Sequence, residues 1–337
     1  MVSLLAFAGG ESYIYVDKGS AASLLQAISQ ANERNADKQS QRLFIIVPNG
    51  TYDLGQRVLT QITGHNISIV GQSMEGTVIR NQPDVANEGI SKTATLQNLG
   101  TGLYLQDLTL QNALDYYKSG SAGRAVCLHD RGTRTICKRV CMLSYQDTYY
   151  SDNEECQHYF EDCEIHGTVD FICGAGDVYF NRCTIVTENR NADGSGSCVI
   201  AAPRTSLTPW GYVFESCTVR NGLSVFHYAR GWHTKPRCAW LRTTLATPER
   251  LLAPRFDPQG MRTVRSEFYE YGTMDLNRDD ITPATNVVTF TLNDEQNSVE
   301  TILSKEQVRR FDLKKIFPDW RPEKVAAQLS RRAASAF

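Results

Sequence analysis

Glu161-Asp162-Cys163-Glu164-Ile165, Asn181-Arg182-Cys183-Thr184-Ile185 and Glu215-Ser216-Cys217-Thr218-Val219 repeat one short pattern along a 337-residue chain. Gln106-Asp107-Leu108-Thr109-Leu110 and Arg139-Val140-Cys141-Met142-Leu143 precede them in the same form. Asn66-Ile67-Ser68-Ile69 begins the series and Leu241-Arg242-Thr243-Thr244-Leu245 continues it. Each segment alternates apolar and polar residues, the period of a strand with one buried face. The central residues Leu108, Cys141, Cys163, Cys183, Cys217 and Thr243 recur at intervals of 33, 22, 20, 34 and 26. A minimum near 20 to 22, stretched elsewhere by insertions, marks a solenoid in which each coil adds one strand to each of several parallel sheets. The fold class is therefore all-β, a right-handed parallel β-helix. Cys141, Cys163, Cys183 and Cys217 are expected to form an interior ladder of small buried thiols.

A solenoid needs caps where its end coils expose strand edges. Ser20 is a candidate N-cap for a helix with Leu24, Leu25, Ile28 and Ala31 on one stripe. Ser304 with Gln307 has capping-box form before Val308, Phe311 and Leu313. Residues 246–300, rich in proline, read as irregular loops over the last coils, and the tail from about Ala326 reads as frayed. The chain divides into residues 1–11, a disordered or residual signal segment, a β-helix domain over 12–300, and a C-terminal helical tail over 301–337. Met1 to Ala8 resembles the end of a signal h-region without its basic start. Read as a truncated export signal it points to a secreted or periplasmic protein; the alternative is a segment foreign to the natural chain.

With 41% hydrophobic residues, 21% charged residues and a formal net charge of −2, the composition carries no nucleic-acid footprint. The basic stretch Arg309, Arg310, Lys314 and Lys315 reads as a solvated helix face. No apolar run approaches the ~20 residues of a membrane span, and a monomer is expected. Cys127, Cys137, Cys156, Cys173, Cys198 and Cys238 lie off the ladder, and some are candidates for disulfide pairing. No CxxC pair or HExxH helix occurs, so neither a metal nor another cofactor is expected.

Coil stacking converts sequence intervals into distances. Arg124, Asp147 and Asp170 follow one another at intervals of 23 and 23 residues. Asp147 and Asp170 should then face each other from adjacent coils, on the order of 5 to 6 Å apart. Two carboxylates at that separation can divide acid and base roles between them.

Here the residues resemble a known family. Tyr145-Gln146-Asp147-Thr148-Tyr149-Tyr150 resembles the QDTLY motif of pectin methylesterases, and Gly167-Thr168-Val169-Asp170-Phe171-Ile172-Cys173-Gly174 resembles their GTVDFIFG motif. Tyr228-Ala229-Arg230-Gly231-Trp232 looks like a variant of LGRPW. Arg124-Ala125-Val126-Cys127-Leu128 occupies the place of QAVAL, and Pro48-Asn49-Gly50-Thr51-Tyr52 matches an early PGxY turn. The motifs keep the family's order from about residue 12 to 275.

The resemblance implies a pectinesterase of bacterial type that hydrolyses the methyl esters of galacturonan, with the pectin polymer as partner. Asp170 would be the nucleophile, held ionised by Arg230. Asp147 would be the acid and then the base, and the Gln146 amide would serve the oxyanion. Arg124 departs from the family's glutamine. Its charge could serve the oxyanion, bind a free carboxylate of the polymer, or point away. Trp232, Tyr150, Phe171 and Trp210 would line an aromatic cleft for the sugar faces, with core packing as the competing reading. Two other functions fit the scaffold: a polysaccharide lyase, which would rely on a calcium-binding carboxylate cluster and a basic residue to abstract a proton, and a non-catalytic carbohydrate-binding β-helix.

Overall fold

The computed structural model describes residues 4–6, 12–119, 123–204, 207–232, 235–259, 267–292 and 294–337. Strands one coil apart pair in parallel and build three sheets around one core, giving the right-handed β-helix that the repeat requires. The first sheet runs from Ser12–Tyr15 and Leu43–Val47 to Glu267–Tyr271. The second runs from Gly50–Asp53 to Thr244–Leu245. The long strands Tyr104–Asn112 and Thr135–Leu143 serve both, pairing in the first sheet with their opening halves and in the second with their closing halves. Eight strands from Thr60–Ile62 to Phe256–Asp257 form the third sheet.

The turn between the first two sheets is made the same way in successive coils. Asp107, Arg139, Asp162, Arg182, Ser216 and Arg242 all have φ between 50° and 55°. That left-handed conformation is costly for a side-chain-bearing residue, and the stack braces it with opposite charges. Arg139 pairs with Asp107 at 2.5 Å, Arg182 with Asp162 at 3.0 Å, and Arg242 with Glu215 at 2.6 Å. Inside, Phe160, Phe180, Phe214 and Trp240 stand in register and stack at centroid distances of 4.9, 4.6 and 3.9 Å.

Register corrects the thiol ladder at one rung. Val140 pairs with Leu108, whereas Cys141 pairs with Thr109 on one side and Glu164 on the other. Val140 belongs to the core, and the interior column is Leu108, Val140, Cys163, Cys183 and Cys217, followed by the buried Thr243. Cys141 lies on the opposite face, because a shift of one residue along a strand moves a side chain to the other side of the sheet. All ten cysteines are free and buried, and none of the off-ladder candidates is paired.

The helix α1 (Ala21–Arg34) covers the first coils, with the Ser20 hydroxyl accepting from Ser23 N and Leu24, Ala27, Ile28 and Ala31 buried. Of residues 1–11, Leu4–Ala6 pairs antiparallel with Ser12–Tyr15, and the remainder lies outside the described residues. Residues 246–300 are more regular than expected. Phe256–Asp257 and Glu267–Tyr271 extend two sheets, and Val287–Leu292 with Glu295–Glu300 forms an antiparallel hairpin that buries Val288 and Phe290.

The tail is not frayed either. Ser304 and Gln307 exchange the two capping-box hydrogen bonds at 2.8 and 3.2 Å. The short helix α2 (Leu313–Ile316) follows, and the helix α3 (Pro322–Ala334) buries Ala326, Leu329 and Ala333. They pack on Phe44, Ile46, Tyr104 and Tyr159, the outward residues of the first sheet. Strands that are apolar on both faces need a cover on each, and Leu-Phe-Ile-Ile-Val at 43–47 already carried that signal.

Candidate active site

Asp147 and Asp170 stand at the entry to consecutive strands of the third sheet, Tyr149–Ser151 and Val169–Gly174. The register Tyr149 to Ile172 carries the two aspartates side by side, and Asp147 N donates to Val169 O at 3.4 Å. Both have positive φ, 59° and 52°, a conformation that aspartate tolerates better than most residues. On the far side of Asp170, the pairing with the next strand slips between Val169 and Ile172. Such bulges re-aim side chains. Phe171 turns into the core, and Gly167 makes room for it, since a Cβ there would meet the Cβ of Phe171 at 2.1 Å. Glycine and phenylalanine in the motif are thus one packing unit that fixes the backbone at Asp170.

Arg230 closes Val225–Arg230, two strands beyond Asp170 in the same sheet. Its guanidinium reaches back as a fork, Nε to Oδ1 at 2.8 Å and Nη2 to Oδ2 at 2.5 Å, and its Nη1 donates to Gln259 at 2.9 Å. Asp170 is itself raised above the ordinary carboxylate value, by burial first, with the Arg230 fork offsetting only part of that rise. Asp147 is lifted well above the usual carboxylate range, by burial first and by the charge of Asp170 second, with Arg124 and Arg230 only partly offsetting. No guanidinium contacts Asp147 directly among the described residues; the Cys173 thiol lies 4.0 Å from its Oδ1. Of the two carboxylates, Asp170 is thus the one whose charged form has a cation beside it, and Asp147 is the one lifted further towards its protonated form.

Gln146 sits beside the pair, and among the described residues its buried Oε1 has no hydrogen-bond partner. Arg124 bridges to Gln146 in register, one position away from the alignment with Asp147 that the interval of 23 residues suggested. Its guanidinium is held by Glu88, Nε to Oε2 at 2.9 Å and Nη2 to Oε1 at 2.8 Å, and Glu88 also accepts from Arg124 N. That hydrogen bonding holds Glu88 below the ordinary carboxylate range. Arg124 consequently enters the site as half of a neutral pair. Glu88, 36 residues upstream, carries no motif that would have marked it.

Of the four aromatics expected to line a cleft, two lie together near the site. Trp232 packs at 5.9 Å from Tyr150, which stacks on His129 at 4.7 Å. Asp152 ties this wall together, accepting from Tyr150 Oη at 2.7 Å and Arg204 Nη2 at 2.7 Å and lying 3.1 Å from His129 Nε2. The other two aromatics are elsewhere. Phe171 is wholly interior, because the residue after an outward aspartate faces inward. Trp210 packs edge-on against Phe311 under the C-terminal segment. Aromatic residue type cannot tell the cleft side of a coil from the side covered by the tail.

Fold and site together define a class: a parallel β-helix carrying a paired-carboxylate centre in which an arginine fork grips one carboxylate and leaves the other without a cation of its own. The chain belongs to the pectinesterase family, whose sequence profile matches residues 15–247. It is 31% identical over 166 residues to pectinesterase 3 of Solanum lycopersicum, covering 49% of this chain and 29% of that protein. It is 27% identical to probable pectinesterase 8 of Arabidopsis thaliana, covering 69% and 60%. The chain thus spans less than two thirds of the length of these curated relatives. The pectin methylesterase from Erwinia chrysanthemi superposes with a TM-score of 0.68 at 24% identity, covering 88% of this chain and 93% of that one, which shows a shared fold.

Proposed function

We propose that the chain is a pectin methylesterase that converts methyl-esterified galacturonan to free carboxylate and methanol, acting where pectin lies, outside the cytoplasm. The observation that carries this reading is the asymmetry of the carboxylate pair: Arg230 grips Asp170 and leaves Asp147 without a cation of its own. The Asp170 carboxylate attacks the C6 carbonyl, and the resulting oxyanion takes a hydrogen bond from the Gln146 amide. Collapse breaks the C–O bond to methoxide, which leaves as methanol with the proton of Asp147, and an acyl anhydride remains on Asp170. Asp147, now a carboxylate, takes a proton from water as that water attacks the anhydride. Asp170 is released ionised and Asp147 protonated. Trp232 and Tyr150 would support the sugar faces.

The lyase reading has less behind it, because the arginine nearest the pair is committed to Asp170. Methanol release from highly methylated pectin, with an acetylated polymer as control, tests the proposal. Full turnover is expected after exhaustive EDTA dialysis; activity lost on dialysis and restored by calcium would favour the lyase.

The pH profile of kcat/KM should be a bell, because the reactive form has Asp170 ionised and Asp147 protonated. Its acid limb is the protonation of Asp170, and its alkaline limb, the deprotonation of Asp147, should lie well above the ordinary carboxylate range. The Glu88–Arg124 pair then acts in two opposite directions. Glu88 raises the pKa of Asp147 and Arg124 lowers it. Glu88→Gln should therefore move the alkaline limb to lower pH, and Arg124→Ala should move it to higher pH. A neutral pair contributes little to the oxyanion, so Arg124→Ala should cost less than the order of 10² in kcat that loss of a true oxyanion donor brings. A loss of 10² or more with unmoved limbs would return Arg124 to the oxyanion.

A further inference from the structure

We propose that Cys141, Glu164 and His166 form a binding site for a thiophilic divalent cation of the Zn2+ class, on the outer face of the second sheet and separate from the ester chemistry. Cys141 and Glu164 are direct partners on adjacent strands, and His166 follows Glu164 by two residues on the same face. The thiol sulfur, a carboxylate oxygen and a ring nitrogen of the three all lie within 4.8 Å of one another. Zinc holds sulfur at about 2.3 Å and nitrogen or oxygen at about 2.0–2.2 Å, so tetrahedral donors sit roughly 3.3–3.7 Å apart. Closing the triangle takes about 1 Å of side-chain motion. Among the described residues this is the one cluster of three such donors.

The surroundings favour the same cation. His166 Nε2 lies 2.7 Å from Glu164 Oε1, and its Nδ1 lies 2.7 Å from Glu188 Oε1. With metal on Nε2, the Nδ1–H donates to Glu188, the carboxylate–histidine–metal arrangement that fixes tautomer and ring orientation. A thiolate with an imidazole selects zinc-like ions over calcium and magnesium, which prefer all-oxygen shells. His166 and Glu188 border an open groove of about 430 Å³, which gives a hydrated ion a path and leaves a fourth position for water. Cys141 is the thiol that register turned away from the interior ladder. The ligands come from neighbouring coils, so binding should tie those coils together and stabilise the native state by mass action.

The test uses the whole chain after EDTA dialysis, titrated with Co2+ as a spectroscopic probe and with Zn2+ by calorimetry. One equivalent of Co2+ should bring a thiolate-to-cobalt charge-transfer band in the near ultraviolet, and Zn2+ should bind at one site and raise Tm. Glu188→Gln should weaken Zn2+ binding roughly 10–100-fold, while Cys141→Ala should remove the band and weaken binding further. His166→Gln should weaken binding likewise, so that any band appears only at higher Co2+, and unchanged affinity in that variant decides against the site if Cys141→Ala does not fold. Absence of saturable binding, or a charge-transfer band that survives Cys141→Ala, overturns the proposal. None of these readouts uses esterase activity, so they stand or fall independently of the proposed function.

Discussion

Asp170→Asn is expected to abolish methanol release, with kcat falling on the order of 10⁴-fold or more, because an amide cannot act as the anionic nucleophile. Asparagine is the right replacement on backbone grounds. Position 170 has a φ of 52°, and asparagine enters the left-handed region about as readily as aspartate. The amide oxygen can still accept from Arg230, and Gln259 remains on the other side of that guanidinium. The variant should therefore keep its near-ultraviolet circular dichroism and lose only part of its thermal stability. A folded Asp170→Asn protein that turned over at a tenth of the wild-type rate would remove Asp170 from the nucleophile's role. Substrate binding by the inactive variant, measured by calorimetry on methylated oligogalacturonide, should survive if Trp232 and Tyr150 support the sugar faces as proposed, since the substitution leaves both untouched.

Asp147→Asn should lower kcat on methyl esters by about 10²–10⁴, the range of general acid–base catalysis. Its signature should differ from that of Asp170→Asn in three ways. Methoxide is a poor leaving group that needs the proton, so an aryl ester of galacturonate should acylate the variant nearly as fast as the wild type. Without a base for the attacking water, the anhydride should then accumulate, giving a burst of phenol release followed by a slow steady state. The alkaline limb of the pH profile should also vanish, because that limb is the titration of Asp147 and asparagine does not titrate. Persistence of the limb would move the acid's identity to another group, and the Cys173 thiol 4.0 Å away would be the next to replace.

The β-helix was legible in the sequence because a solenoid is nearly one-dimensional: each coil repeats its inward and outward positions, so the interval between apolar peaks reports the architecture directly. The same repetition placed Asp147 beside Asp170, and motif resemblance supplied Arg230, whose fork the structure then closed. What the sequence left open depended on register within a coil or on contacts between distant segments. Insertions change where a strand enters its sheet, so Cys141 went to the outer face and Arg124 moved beside Gln146. Glu88 meets Arg124 across 36 residues, and Trp210 meets Phe311 across 101, separations that no local period encodes. The tail's order likewise came from the apolar outer face of the first sheet, against which it folds. Sequence thus determined the coil and the residues brought to it, while tertiary packing decided which side of the coil each side chain faces and which charge it meets, because one residue of register reverses a face and charge pairing acts through space.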